Sequence, residues 1–194
     1  MNLISQLAGE STPEVKPQTD VTVVPYNAQL DVNADLMLPW LWNQLKADGL
    51  IDLYYPNRKA FGFARFVEMM SGGANVLLVA TQKDGQIDRV MGFSTWTPMD
   101  FGGAKAATAG FIFLKEFWDG HITTNAAHLI MEHWFTVAEL EVVIGNVAVD
   151  NRLANQFLSR LGWKKLAVVP RLQRYHDRAC DANLWLMTKE DFDG

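Results

Sequence analysis

At 194 residues the chain is long enough for one domain with a sizeable core and short for two. With 49% hydrophobic and 20% charged residues it has an ordinary globular composition, and no stretch approaches the ~20 apolar residues that a membrane helix needs. The net charge of −5 hides an asymmetry, nine Lys/Arg against seventeen Asp/Glu in residues 1–150 and seven against one in residues 151–178, which suits an anionic ligand on the basic segment and argues against nucleic acid for the acidic whole.

Residues 1–19, polar and interrupted by Pro13 and Pro17, read as a loose arm ahead of one domain over 20–194. They hold no basic region followed by an apolar run, so no signal peptide is expected. One cysteine, Cys180, cannot close an internal disulfide, and together these features point to a cytoplasmic protein. Residues 21–24 form a first strand, closed by Pro25. Residues 31–46 are helical, with Leu36, Trp40, Leu41 and Leu45 at helix spacing, and a second helix covers 57–70. The period then changes to that of strands at 75–81 and 89–97, joined by the Asp84-Gly85 hairpin turn. Residues 106–116 complete a meander. Residues 123–139 carry the clearest apolar stripe of a helix, through Ala126, Leu129, Ile130 and Trp134. A strand at 141–149, a helix at 151–161 stopped by Gly162, and strands at 165–169 and 183–187 close the chain.

This order predicts an α/β (α+β) fold, a mixed and mostly antiparallel central sheet of six or seven strands with helices on both faces. The unit from 106 to 149 is expected to be a crossover between parallel strands.

Two stretches carry the chemistry. In residues 109–126 a strand runs through Gly110-Phe111 and Phe113 into a loop, Trp118-Asp119-Gly120-His121, that opens a helix at Ile122-Thr123-Thr124. Free backbone N–H groups and the helix dipole make such a start an anion site. In residues 146–163 a second strand leads through Asn151-Arg152 and Ala154 into a helix ending in Gly162-Trp163.

Together these stretches resemble the GCN5-related N-acetyltransferase (GNAT) superfamily, closest in pattern to its ribosomal-protein N-terminal acetyltransferase branch. Gly110-Phe111, Trp118, Asn151, Ala154 and Gly162-Trp163 fall at matching spacings, and the element order agrees over nearly the whole chain. The resemblance implies an acyl-CoA N-acyltransferase-like fold and transfer of an acetyl group from acetyl-CoA to a primary amine by direct attack. It implies that Phe113, Leu114 and Lys115 pair with the pantetheine arm, and that Gly120, His121, Ile122, Thr123 and Thr124 hold the pyrophosphate. Asn151 would touch the cofactor, and Arg152 or Arg160 its phosphates. The acceptor would be a protein N-terminus, a lysine or a small amine, and a homodimer is left open.

The loop departs from the family pattern: Asp119 and His121 stand at its two glycine positions, and Leu158 where many relatives carry a tyrosine. These departures motivate the alternative of an inactive binding or assembly module, with Trp40 and Trp42 as its surface. For catalysis, Glu116 is the leading general base and Tyr175 a second candidate. His128 and Glu132 share a helix face at metal-ligand spacing, but an ion pair explains them as well and no metal is expected.

Overall fold

The computed structural model describes residues 20–26, 34–54, 62–71, 75–118, 121–175 and 178–194. The arm expected over 1–19 lies outside them, as does most of the first half of the helix expected over 57–70.

Strand β1 (Asp20–Pro25) is followed by helices α1 (Ala34–Ala47), α2 (Leu50–Tyr54) and α3 (Phe63–Ser71). The meander β2 (Val76–Lys83), β3 (Gln86–Phe101) and β4 (Ala104–Phe113) comes next. Helix α4 (His121–Glu132) runs on into one π-helical turn (His133–Val137), closed by the bond from Ala138 N–H to the His133 carbonyl at 3.0 Å. Then come β5 (Val142–Ala148), α5 (Arg152–Arg160), β6 (Lys164–Tyr175), β7 (Arg178–Thr188) and the short α6 (Lys189–Asp193).

The seven strands form one open sheet in the order β1-β2-β3-β4-β5-β7-β6. All neighbours are antiparallel except β4 and β5, the parallel pair that the crossover through α4 requires. Alternation of side chains sorts the helices onto two faces. Phe93 of β3 meets Phe66 of α3 at 6.0 Å, and Phe66 meets Trp42 of α1 at 5.4 Å. On the other face Phe111 of β4 stacks on Trp134 at 6.0 Å, and Trp96 of β3 meets His133 at 5.8 Å. Phe66 and Trp134 are fully buried, each contributing about 1.5–3 kcal/mol or more relative to exposure.

Where the elements differ from the sequence reading, local hydrogen bonding explains it. The strand expected to reach Glu116 stops at Phe113, because Lys115–Phe117 coil into a 3₁₀ turn closed by the bond from Phe117 N–H to the Leu114 carbonyl at 3.0 Å. The last two strands are longer than expected, and β6 is exposed along most of its length, so its sequence carries no apolar alternation. Helices α2 and α6 were not expected from periodicity; each has five residues, too few to show one.

Candidate active site

Strands β4 and β5 pair over only three positions, Ala106 with Val142 through Thr108 with Ile144, and then part. From Ala109 and Gly145 onward the sheet is split. The gap opens into a cavity of about 420 Å³, walled on one side by β4 and on the other by β5 and α5.

The β4 wall offers backbone. Leu114 N–H donates to the Met91 carbonyl of β3 at 2.8 Å, and the two edges of a strand alternate. Ile112 and Gly110 therefore turn their polar groups to β3, while Ala109, Phe111 and Phe113 turn theirs toward the cleft. Gly92 of β3 lies so close behind β4 that a Cβ there would stand 2.0 Å from the Ile112 carbonyl oxygen.

The end of this wall is already satisfied. The Phe113 carbonyl accepts from Trp118 Nε1 at 2.8 Å, Lys115 N–H donates to Asp48 at 2.8 Å, and Trp118 N–H to the Lys115 carbonyl at 3.1 Å. An added chain can pair with β4 at Ala109 and Phe111 and at Phe113 N–H, upstream of Leu114 and Lys115. Trp118 itself lines the cleft and is 40% exposed, with Lys115 Nζ 6.0 Å from its ring.

The α5 wall offers side chains. Leu153, Gln156, Phe157 and Arg160, at helix spacings of three and four, face the cavity. Asn151 caps the helix, its side chain accepting from Ala154 N–H at 3.2 Å, as its residue type and position suggest. Phe157 reaches across the gap to meet Phe111 at 5.8 Å and Phe113 at 6.3 Å, both edge-on. At the split, Gly145 lets Trp163 come close: a Cβ there would lie 3.3 Å from the indole. At the far rim Gln173 of β6 donates to the Asn146 side chain at 2.5 Å and to its carbonyl at 3.2 Å.

The expected site residues separate into three groups. Phe113, Thr123, Thr124 and Asn151 line the cleft, as does Arg160. Leu114 is buried behind it; Lys115, His121 and Arg152 are exposed, and Ile122 is half-buried, outside the lining. Thr123 is buried, its hydroxyl donating to the Phe117 carbonyl, which ties the start of α4 to the 3₁₀ turn. Gly120 and Asp119 lie outside the described residues.

The two catalytic candidates stand elsewhere. The Glu116 carboxylate pairs with Arg89, both side chains about half exposed, and neither lines the cleft. Tyr175 lines a separate hollow of about 300 Å³ with Asp150, Cys180 and Asp181, where burial and then Asp150 push its hydroxyl up from the ordinary value. Burial, with Asp150 and Asp181 adding, also pushes the Cys180 thiol up, the reverse of what a nucleophilic thiolate needs. His128 packs beside Phe192, and no group of three metal-ligating side chains occurs among the described residues. Of the two surface tryptophans, Trp42 packs on Phe66 and only Trp40 is exposed.

Sequence reasoning missed Gln173, Asn146 and Gly145 as cleft residues, since only the register of β5, β7 and β6 brings them together. Phe157 had a signal, its position on the cleft stripe of α5.

A mixed sheet split between two parallel strands, with a capped helix as one wall, is the architecture of an acyl-CoA N-acyltransferase. The sequence matches the acetyltransferase (GNAT) domain family over residues 20–164, so the chain belongs to this family of acetyltransferases. A search of curated proteins finds no match. Among solved structures the fold is similar to that of a spermidine N-acetyltransferase from Vibrio cholerae in complex with CoA and spermine. That pair has a TM-score of 0.71 at 13% identity over 90% of this chain and 98% of the other. It is similar too to Mycobacterium smegmatis RimJ in complex with CoA-disulfide, with a TM-score of 0.66 at 16% identity over 88% and 83%. A GNAT-family acetyltransferase from Bacillus anthracis gives 0.67 at 9% identity over 89% and 98%. No helix among the described residues is long and apolar enough to cross a membrane.

Proposed function

We propose that the chain transfers the acetyl group of acetyl-CoA to the α-amine of a polypeptide. The split between β4 and β5 carries the cofactor part of this reading. The open edge of β4 at Ala109, Phe111 and Phe113 is suited to strand-like pairing with the amides of a pantetheine arm. Thr124 in the first turn of α4 and Arg160 on α5, both lining the cleft, are suited to phosphate oxygens. Bound acetyl-CoA supplies the acyl carbon that the amine nitrogen attacks as the C–S bond breaks.

The acceptor part of the reading rests on the described lining of the cleft. Among the described residues lining it, Arg160 is the one ionisable side chain, with no carboxylate or histidine beside it to take a proton. An α-amine titrates near pH 7.7–8.0 and a lysine near 10.4, so at neutral pH the uncharged fraction of the α-amine is roughly a few hundred times larger. A polyamine would bring further charges into a cleft whose described lining offers no carboxylate to meet them. The neutral amides of Asn146 and Gln173 suit a peptide backbone better. In this reading neither Glu116 nor Tyr175 is needed as base.

The test is release of CoA thiol from acetyl-CoA with three acceptors: a lysine-free peptide with a free N-terminus, an N-blocked peptide holding one lysine, and spermidine. Turnover with the first alone, rising with pH through the α-amine range, is expected. Turnover confined to spermidine or the blocked peptide overturns the acceptor, and absence of both turnover and acetyl-CoA binding overturns the enzyme.

A further inference from the structure

One side chain beside the cleft makes several hydrogen bonds without lining it. Asn155, one turn after Asn151 on α5, directs its amide nitrogen at the Ala148 carbonyl (2.9 Å) and the Asn151 carbonyl (2.8 Å). Its oxygen accepts from Asn183 Nδ2 (2.7 Å) and from Trp185 Nε1 (3.0 Å), both on β7. Asn183 and Trp185 are 5% and 6% exposed, so the bonds on the oxygen side stand in a buried environment where their loss is costly.

The two ends of this carboxamide hold different things. Its oxygen fastens α5 to the buried face of β7. Its nitrogen grips the last residue of β5 and the cap residue of α5, the two ends of the turn that carries Asn151 into the cleft wall. The Ala148 carbonyl also accepts from Asn151 N–H at 3.0 Å, so the turn is held by backbone and side chain at one point.

We propose that Asn155 is the positioning residue of the cofactor cleft: its amide N–H₂ fixes the β5–α5 turn, and through Asn151 sets the α5 wall at its working distance from β4. The inference rests on the proposed acetyl-CoA binding. It predicts that the two ends separate experimentally. Asn155→Asp keeps the accepting oxygen and loses both donors; Trp185→Phe removes one donor to the oxygen and leaves the nitrogen untouched.

Titration of the full chain with acetyl-CoA and a thermal melt, run on both variants, make the test. Asn155→Asp is expected to weaken acetyl-CoA binding about tenfold at a small change in melting temperature, and Trp185→Phe to lower that temperature by about 2–4 °C with affinity unchanged. Aspartate also adds a charge near a phosphate ligand, so the titration is repeated at high salt. A charge effect fades on screening, whereas a lost hanger persists. Asn155→Ser, small and neutral, must show the same weakening. Binding by the wild type together with undiminished binding by both Asn155 variants overturns the proposal. So does an affinity that merely follows melting temperature across all three variants, or a loss that vanishes in salt and is absent in Asn155→Ser. Failure of the wild type to bind acetyl-CoA instead overturns the reading on which it rests.

Discussion

The two walls of the cleft do the same job by different physical means. The β4 wall is backbone, the last strand of an antiparallel meander whose outer edge stays open because β5 turns away from it. Its terminal polar groups are consumed internally by Trp118, Asp48 and Met91. The β5–α5 wall is held by side chains, with Asn151 as cap, Asn155 as clamp and Phe157 bridging to the opposite strand. A wall of backbone tolerates many side chains but no change of spacing, and a wall of side chains behaves the other way. The comparison therefore predicts where substitutions act on shape and where they act on binding.

The largest effect belongs to the backbone wall. Gly92→Val would drive a Cβ to 2.0 Å from the Ile112 carbonyl oxygen, which no side-chain rotation relieves. We expect a loss of about 3 kcal/mol or more, or no folded protein, in a denaturant melt. A loss below about 1 kcal/mol would show that β3 and β4 do not approach as described. Gly110, on the same wall, makes the contrast: a Cβ there meets nothing within 4 Å, so Gly110→Leu should fold and act only on what enters the cleft.

On the other wall charge comes next. Arg160→Glu should weaken acetyl-CoA binding about tenfold or more in low salt and less in high salt, while Arg152→Glu, whose side chain does not line the cleft, should do so to a smaller degree. Equal effects would mean that the basic segment acts as a field and the cleft stripe has no special role. Asn151→Ala removes the bond to Ala154 N–H and should cost about 1 kcal/mol, or about 2–4 °C in melting temperature.

Much of the fold was legible because its signals are local. Asp84-Gly85 fixes the β2–β3 hairpin, and Asp84 adopts φ 53°, Gly85 φ 76° there. The cap at Asn151 and the stop at Gly162, with φ 85°, bound α5. Glu116 was less legible. A continuous strand would have aimed it along the open edge of the sheet, but the 3₁₀ turn that begins two residues after Phe113 sends it to Arg89. Gln173 and Asn155 were illegible for another reason. Asn146, the partner of Gln173, and Asn183, a partner of Asn155, lie 27 and 28 positions away in sequence, and only the registers of β5 and β6 against β7 bring them within reach.

Two smaller effects complete the series. Burial lowers the His133 pKa at the π-helical turn, so the folded state favours the neutral ring. Its contribution to stability is present above the ordinary histidine value and is lost as pH falls below it, because the unfolded chain then binds the proton more readily. His133→Gln should flatten the pH dependence of stability below about pH 6.5, measured by melts on the acid side of that value. An unchanged slope would assign the acid sensitivity to other groups.

The smallest effect tests the division between the walls most directly. Glu116 and Arg89 are both about half exposed, and such a pair is worth about 0–1 kcal/mol at most. Because neither lines the cleft, Glu116→Gln should leave turnover on an α-amine acceptor within about twofold and its pH profile in place, which is far from the 10²–10⁴-fold loss that removal of a general base produces. A loss of that size, with acetyl-CoA affinity intact, would mean that the turn at Lys115–Phe117 opens during the reaction and carries the carboxylate into the cleft. The β4 wall would then be the wall that moves, and the α5 wall, held by Asn155, the one that stays.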